Sequence, residues 1–546
     1  MRFFNALALV SALGVALIEA GCSSEDPKPP PWVVGVQNPL PNSADGRLVG
    51  SDCPLPMPDV VAECGQLQVP ESHANPMWRQ LSLPVVVFRS PSPGARELPP
   101  VVYLEGGPGG HAIANVVSSF DDFFRPLIKQ RDLVVFDQRG TGFATPRLDC
   151  PNLGATPMPG LSGAAAPSDA DSQLLACRNE LSQSTLLDAY NSHENASDVD
   201  DLRRALGYEK WHLLGVSYGT RLGLDVARYY PGGVESLILD SVLPPDVDFA
   251  ASGPVNFKRS LDAVFRSCIE QASCALGYPN LETRFYDLAN RLNAEPKLVT
   301  NQEGGRFRVS GDLLTSLIFN LSYSAPAVSF MPELIFQLSE GDFGFFEQLS
   351  LSDQSAVADG SFSIGMYFSV VCSDYVPFSS AAATEEANRA VPPVIVKALS
   401  SIELFSVCKT WNVQAAAPAE HTAVTSALPI LLLSGALDPV TPPAWAQSAA
   451  RSLSNGRALT FNGQAHGIIT DPCAGELMNS YWDNPTADPS PKCPNRQLPL
   501  EFFVADSRLP AATALPRARG ATNTHGVHEE LSKVLNHALR ERARFR

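Results

Sequence analysis

The chain has 546 residues, 45% of them apolar and 18% charged, and Lys+Arg 40 against Asp+Glu 57 leaves a formal net charge of -17. A disordered chain would hold far fewer aliphatic residues and a nucleic-acid binder would carry a basic excess, so both classes are set aside. Single cores stop growing at roughly 250–300 residues, so either two domains or one core with a large insertion is expected.

Met1 and Arg2 open a short positive segment, and residues 3–18 are an apolar run broken only by Asn5, Ser11 and Gly14. The run is short for a bilayer span and stands where an export signal would. Ala20-Gly21-Cys22 is similar to the end of a bacterial lipobox, with Cys22 the lipidated residue and a Pro-rich tether after it. Glu19 departs from the usual apolar residue there, so cleavage and release after Ala20 or Gly21 is the other reading. Either way the protein is expected outside the cytoplasm, in a bacterial cell envelope or secreted, touching a membrane only through that lipid. The oligomeric state is not legible.

Ten cysteines follow Cys22, an even number that in an oxidising compartment favours disulfides over metal. They fall into five neighbouring pairs, 53 with 64, 150 with 177, 268 with 274, 372 with 408 and 473 with 493, although spacing alone does not prove connectivity. Zinc is disfavoured: there is no Cys-x-x-Cys or His-x-x-x-His, and His525 and His528 have no partner ligands nearby. No cofactor motif is present either.

From residue 64 to 245 short apolar runs alternate with helical stretches, the mark of a mostly parallel sheet flanked by helices. Strands are expected at 81–89, 101–104, 133–137, 211–215 and 234–240, and Val199, Leu202 and Leu206 place an amphipathic helix over 195–206. Residues 151–171 lack periodicity and read as a surface excursion tied back by Cys150 and Cys177. Residues 246–425 differ: Phe257, Leu261, Phe265 and Cys268 recur at helical spacing, as do Leu313, Leu314, Leu317 and Ile318. This predicts a mainly helical insertion. It holds 11 Lys+Arg against 20 Asp+Glu, over half of the chain's net charge. Sheet character resumes at 430–433 and 457–461, and a basic amphipathic helix closes the chain over 529–544. The expected division is therefore 1–22 signal, 23–63 tether and N-terminal segment, 64–245 first part of the core, 246–425 insertion, and 426–546 second part of the core with the terminal helix.

Gly215-Val216-Ser217-Tyr218-Gly219 has the Gly-x-Ser-x-Gly form between an expected strand and a helix from Tyr218, where a nucleophile elbow belongs. A serine hydroxyl attacks near neutral pH only when an imidazole takes its proton, and a carboxylate must orient that imidazole. The order nucleophile, acid, base after successive strands selects Asp438 and His466, with Asp240 as the rival acid; His193 precedes the nucleophile, His212 lies in a strand, and His525, His528 and His537 belong to the terminal region. The oxyanion would be held by the N–H groups of Tyr218 and of Gly107, in the glycine loop Glu105 to Gly110 after the 101–104 strand. Asp137 and Arg139, in the loop 137–142 at the same edge, are expected to pair with each other and lock it.

Cys64-Gly-Gln-Leu-Gln-Val-Pro, Gly106-Gly107-Pro108-Gly109, Asp137-Gln138-Arg139-Gly140-Thr141-Gly142, Gly215-Val216-Ser217-Tyr218-Gly219-Thr220 and Gly435-Ala436-Leu437-Asp438-Pro439-Val440-Thr441-Pro442 occur in that order. Together they resemble the α/β-hydrolases of the proline iminopeptidase and secreted tripeptidyl aminopeptidase family, and Cys372-Ser-Asp and Cys408-Lys-Thr-Trp411 resemble cap cysteines of the tripeptidyl type. The resemblance implies an α/β-hydrolase fold with a helical cap and a serine peptidase that removes one or a few residues from the free N-terminus of a peptide. It also implies cap acids that bind the substrate's ammonium group, for which Glu105 and Asp374 are the candidates by position. A carboxylesterase on the same scaffold is the alternative, since fold and triad do not choose between ester and amide. A surface protein with a vestigial triad is a third class, against which the intact serine, acid, histidine and glycine loops stand.

Overall fold

The structure, a computed structural model, describes residues 35–151, 153, 170–302, 304–347, 362–505 and 508. The export segment, Cys22, the 529–544 helix and His525, His528 and His537 lie outside them. In the described residues the strands are β1 (Gln37–Pro39), β2 (Leu48–Gly50), β3 (Ala62–Pro70), β4 (Gln80–Phe88), β5 (Val101–Leu104), β6 (Leu133–Phe136), β7 (Trp211–Val216), β8 (Val234–Asp240), β9 (Lys297–Thr300), β10 (Arg306–Val309), β11 (Ile430–Gly435) and β12 (Gly456–Phe461).

Ten of these form one sheet in the order β1-β3-β4-β6-β5-β7-β8-β11-β12, with β2 on β3. Pairing is antiparallel where β3 meets β2 and β4 and where β4 meets β6, and parallel from β6 to β12. The inner parallel strands β5, β6, β7 and β11 are largely apolar because both their faces are covered. Val102, Leu104, Val134, Leu213, Leu237, Leu239 and Leu432 enter one core, and their neighbours Val101, Tyr103, Val135, Leu214, Ile238, Leu431 and Leu433 enter another, the alternation a pleated strand imposes. All seven expected strands are present. β3 was not foreseen as a strand, since its Glu63, Gln66 and Gln68 break the apolar run.

Register decides where chemistry can gather. Leu104 pairs with Gly215, Val216 with Asp240, Leu433 with Asp240, and Gly435 with Phe461. The carboxyl ends of β5, β7, β8, β11 and β12 therefore share one edge, the place where parallel α/β sheets bind ligands.

Between β8 and β11 the chain is mainly helical, as expected, with the helix Phe249–Glu270 first and the short antiparallel hairpin β9–β10 within it. This segment has a core of its own, containing Phe257, Phe265, Phe285, Leu314, Met331 and Leu334. The five disulfides join the cysteines in the expected pairs. Among the described residues no helix is long and apolar enough to cross a membrane.

Candidate active site

Ser217 follows β7 directly and precedes the helix Tyr218–Tyr229. Its backbone has φ 55° and ψ -120°, a conformation that L-residues rarely adopt and that lifts the side chain clear of the sheet edge. The flanking glycines are steric necessities. A Cβ on Gly215 would stand 2.3 Å from the Gly219 carbonyl oxygen, and one on Gly219 would stand 2.0 Å from the Leu104 carbonyl oxygen. Ser217 is 7% exposed and His466 5%.

His466 and Asp438 come together as the chain order predicts. Nδ1 of His466 lies 2.9 Å from Oδ2 of Asp438. Because an ionised carboxylate only accepts, this bond keeps the proton on Nδ1 and leaves Nε2 free to take one. Asp438 is itself fixed: the backbone N–H groups of Val440 and Thr441 both donate to Oδ1 at 2.8 Å, and the Thr441 hydroxyl donates to Oδ2 at 2.6 Å. Burial alone would raise the Asp438 carboxyl, but the His466 charge and these hydrogen bonds hold it below its ordinary value. Burial likewise disfavours a charged His466, and the Asp438 charge and hydrogen bond, with Asp240 adding to them, outweigh that and raise it.

Asp240, the rival acid, has other work. Its two carboxylate oxygens accept the N–H groups of Ile468 and Ile469 at 2.8 Å, and the Ser241 hydroxyl beside it accepts from Gly467 N–H at 2.8 Å. Its backbone carbonyl receives the Ser217 N–H at 2.9 Å. The end of β8 is thus a bracket between the serine turn and the histidine loop. Burial raises the Asp240 carboxyl to about 6. Ser217 Oγ makes no hydrogen bond to His466 among the described residues, in keeping with catalytic contacts that tighten only around substrate.

Tyr218 opens its helix, so its N–H has no intrahelical acceptor, and its ring is anchored by hydroxyl contacts with Ser192 Oγ at 2.9 Å and Asn195 Nδ2 at 3.3 Å. Gly107, in the loop that follows β5, has φ 113°, which only glycine adopts without strain. Beneath this loop Glu105 is fully enclosed, its carboxylate accepting from Gly106 N–H at 2.8 Å and Asn115 Nδ2 at 3.2 Å. Burial raises it to about 7. Asp374 is equally enclosed, accepting from Ser192 N–H at 3.0 Å, and is raised by burial against the offsetting charge of Arg221. Neither expected amine-binding acid therefore offers an accessible carboxylate. Glu105 supports the glycine loop, and Asp374 ties the helix Ile364–Asp374 to the start of the helix Ser192–Ala205.

The Asp137–Arg139 pair does not form. Arg139 makes a two-pronged bond to Asp198, both contacts 2.7 Å, and donates to the Glu71 and Ala189 carbonyls. Asp137 accepts the N–H groups of Ile113 and Phe143. Each locks the 137–142 loop separately, because successive turn residues point in different directions. Among the described residues the group best placed to hold a metal is Asp471, Cys473 and Cys493, and both sulfurs are spent in one disulfide.

Sequence reasoning missed Tyr323, whose carbonyl accepts the His466 N–H at 3.1 Å and whose ring stands edge-on to the imidazole at 5.1 Å. It lies in the helical segment, where nothing local marks it. The Thr441 contact was readable: an aspartate followed two and three residues later by free N–H groups is an Asx turn.

Residues 99–274 match the family described as alpha/beta hydrolase fold, and residues 393–493 match the family described as TAP-like protein. The chain is 26% identical over 466 residues to serine protease Hip1 of Mycobacterium tuberculosis, covering 79% of this chain and 86% of that one. It is 25% identical over 471 residues to tripeptidyl aminopeptidase of Streptomyces lividans, covering 80% and 84%. It is also 25% identical over 453 residues to carboxylesterase B of Mycobacterium tuberculosis, covering 79% and 85%. With the sheet order, the serine turn and both family matches in agreement, the chain is a hydrolase of the α/β-hydrolase fold with a TAP-like match over residues 393–493.

Proposed function

We propose that the protein is an exported serine aminopeptidase that releases one or a few residues from the free N-terminus of peptides. Ser217 attacks the scissile carbonyl while Nε2 of His466 takes its proton. The N–H groups of Tyr218 and Gly107 stabilise the oxyanion, and the imidazolium then returns the proton to the leaving amine. Water repeats the cycle on the acyl-enzyme. Asp438 holds the imidazole in the reactive tautomer throughout.

The observation that carries this reading is the His466–Asp438 hydrogen bond at the sheet edge that also bears the strained Ser217 turn. Peptide chemistry is favoured by the relatives named serine protease and tripeptidyl aminopeptidase. The acidic balance of residues 246–425 suits an ammonium-bearing substrate, and since Glu105 of the glycine loop and Asp374 of that segment are enclosed, acids of the segment besides Asp374 would receive it. A carboxylesterase is the second reading, favoured by the relative of that name at the same identity.

The two are separated by offering free-amine aminoacyl and tripeptidyl anilides, the same anilides with blocked N-termini, and a short-chain nitrophenyl ester. Cleavage confined to the free-amine anilides supports the aminopeptidase. Turnover of the ester alone selects the esterase, and inertness to all of them contradicts both.

A further inference from the structure

The residues that immediately precede the acid and the base, Leu437 and Ala465, are buried in the core of the helical segment and in neither core of the sheet. The helix Phe249–Glu270 reaches the same place with polar groups. Asn256 Nδ2 donates to the Val440 carbonyl at 2.7 Å, Ser260 Oγ to Leu437 at 2.6 Å, Arg259 Nη1 to Ala436 at 2.8 Å, and Arg259 Nη2 to Asp438. Four carbonyls in the five residues 436–440 are thus claimed by three side chains of one helix. Arg259 is the charged one. No carboxylate pairs with it among the described residues, and the charge that bears on it is that of Asp438. A partly buried cation whose donors go to backbone carbonyls and not to a carboxylate of its own gives up solvation, so its position calls for a function.

We propose that Arg259 is a positioning residue of the acid–base pair: its planar fork fixes the loop that presents Asp438 to His466 and sets a positive charge behind that carboxylate. The inference rests on the assignment of Ser217, Asp438 and His466. His466 is faced by Asp438 from the loop after β11, by Asp240 from the end of β8 and by Tyr323 from the helical segment. Arg259 acts on it through Asp438. Removing the cation leaves the two carboxylates less opposed and favours the protonated imidazole. A protonated imidazole cannot serve as the base, so the acid limb of the rate profile moves to higher pH.

The test is the rate at which a fluorophosphonate labels Ser217, followed from about pH 5 to about pH 9 in the full chain, for wild type, Arg259→Gln, Arg259→Lys and Asn256→Ala. This readout needs a working nucleophile and base but no knowledge of the substrate. Arg259→Gln is expected to label about tenfold more slowly at its optimum and to shift the acid limb upward by about half a pH unit. Arg259→Lys keeps the charge and gives up the fork, so it should restore the limb without restoring the full rate. Asn256→Ala removes a bond to the same loop without changing charge and should slow labelling with the limb unmoved. An Arg259→Gln limb that coincides with wild type, whatever the change in melting temperature, overturns the proposal. Should Arg259→Gln not fold, an Arg259→Lys variant that labels as fast as wild type overturns it as well. Wild type that is not labelled at Ser217 refutes the underlying assignment instead.

Discussion

Ser217 and the His466–Asp438 pair are held by different parts of the chain. The serine belongs to the sheet: its neighbours Val216 and Tyr218 lie in the two sheet cores, its N–H is tied to β8, and the Gly215–Gly219 crossing leaves its turn no freedom. The acid and base leave the ends of β11 and β12, but Leu437 and Ala465 beside them pack into the helical segment, which also supplies Asn256, Arg259, Ser260 and Tyr323 to their backbones. The difference teaches that this segment is more than a cover. It holds the loop that carries the proposed acid, so on that assignment damage to it should reach catalysis and not only substrate access.

The comparison can be broken most severely at the serine. Ser217→Ala should cut turnover of whichever substrate is accepted by at least about 10⁴-fold while the melting temperature stays near that of wild type, because the sheet holds the turn. Asp438→Asn should cost about 10⁴-fold in kcat by admitting the wrong histidine tautomer. Asp240→Asn, which retains an acceptor for the 468–469 backbone, should cost far less rate; equal losses in the two variants would mean that Asp240 is the working acid.

Paired core truncations sharpen the difference further. Leu437 and Leu214 are both buried, in different cores. Each Leu→Ala change should destabilise by about 2–5 kcal/mol in denaturant titration, but Leu437→Ala should lower kcat of the folded enzyme more, since it loosens the acid's own loop. The smallest effect concerns pH. In the proposed mechanism the neutral imidazole is the base, and His466 is raised in the folded protein, so activity should be present above that raised value and lost as pH falls through it. The acid limb of kcat/KM should therefore lie above the ordinary imidazole value of about 6.5, and a rate that stays flat well below it would contradict the assignment.

What the sequence disclosed follows from how local each signal was. The strands β5, β7, β8 and β11 are largely apolar runs ended by glycine or polar loops, β12 is more mixed, and Ser217, Asp438 and His466 stand just after β7, β11 and β12, so spacing along the chain was enough to single them out as candidates. Neighbouring cysteines that close short loops suggested the pairing, and the structure supplied the connectivity that spacing alone does not prove. The partner of Arg139 was not, because Asp198 lies 59 residues away on a helix, and a turn aspartate two residues off looked nearer than it is in space. The enclosure of Glu105 and Asp374 was hidden for a related reason: position in sequence says which loop a carboxylate joins but not which side of the loop it faces. Arg259 sits on ordinary-looking helical sequence and Tyr323 in the turn between the helices Gly311–Leu321 and Ala325–Ser339, and only the packing of the insertion onto the 436–440 and 466 backbones gives them meaning.

The most direct test of the central claim is to treat the protein with a fluorophosphonate and map the adduct by peptide mass spectrometry in wild type and in His466→Ala. A single adduct on Ser217 that is lost or greatly slowed in His466→Ala is the predicted result. An adduct at another residue, or labelling of Ser217 at the same rate without His466, would contradict it.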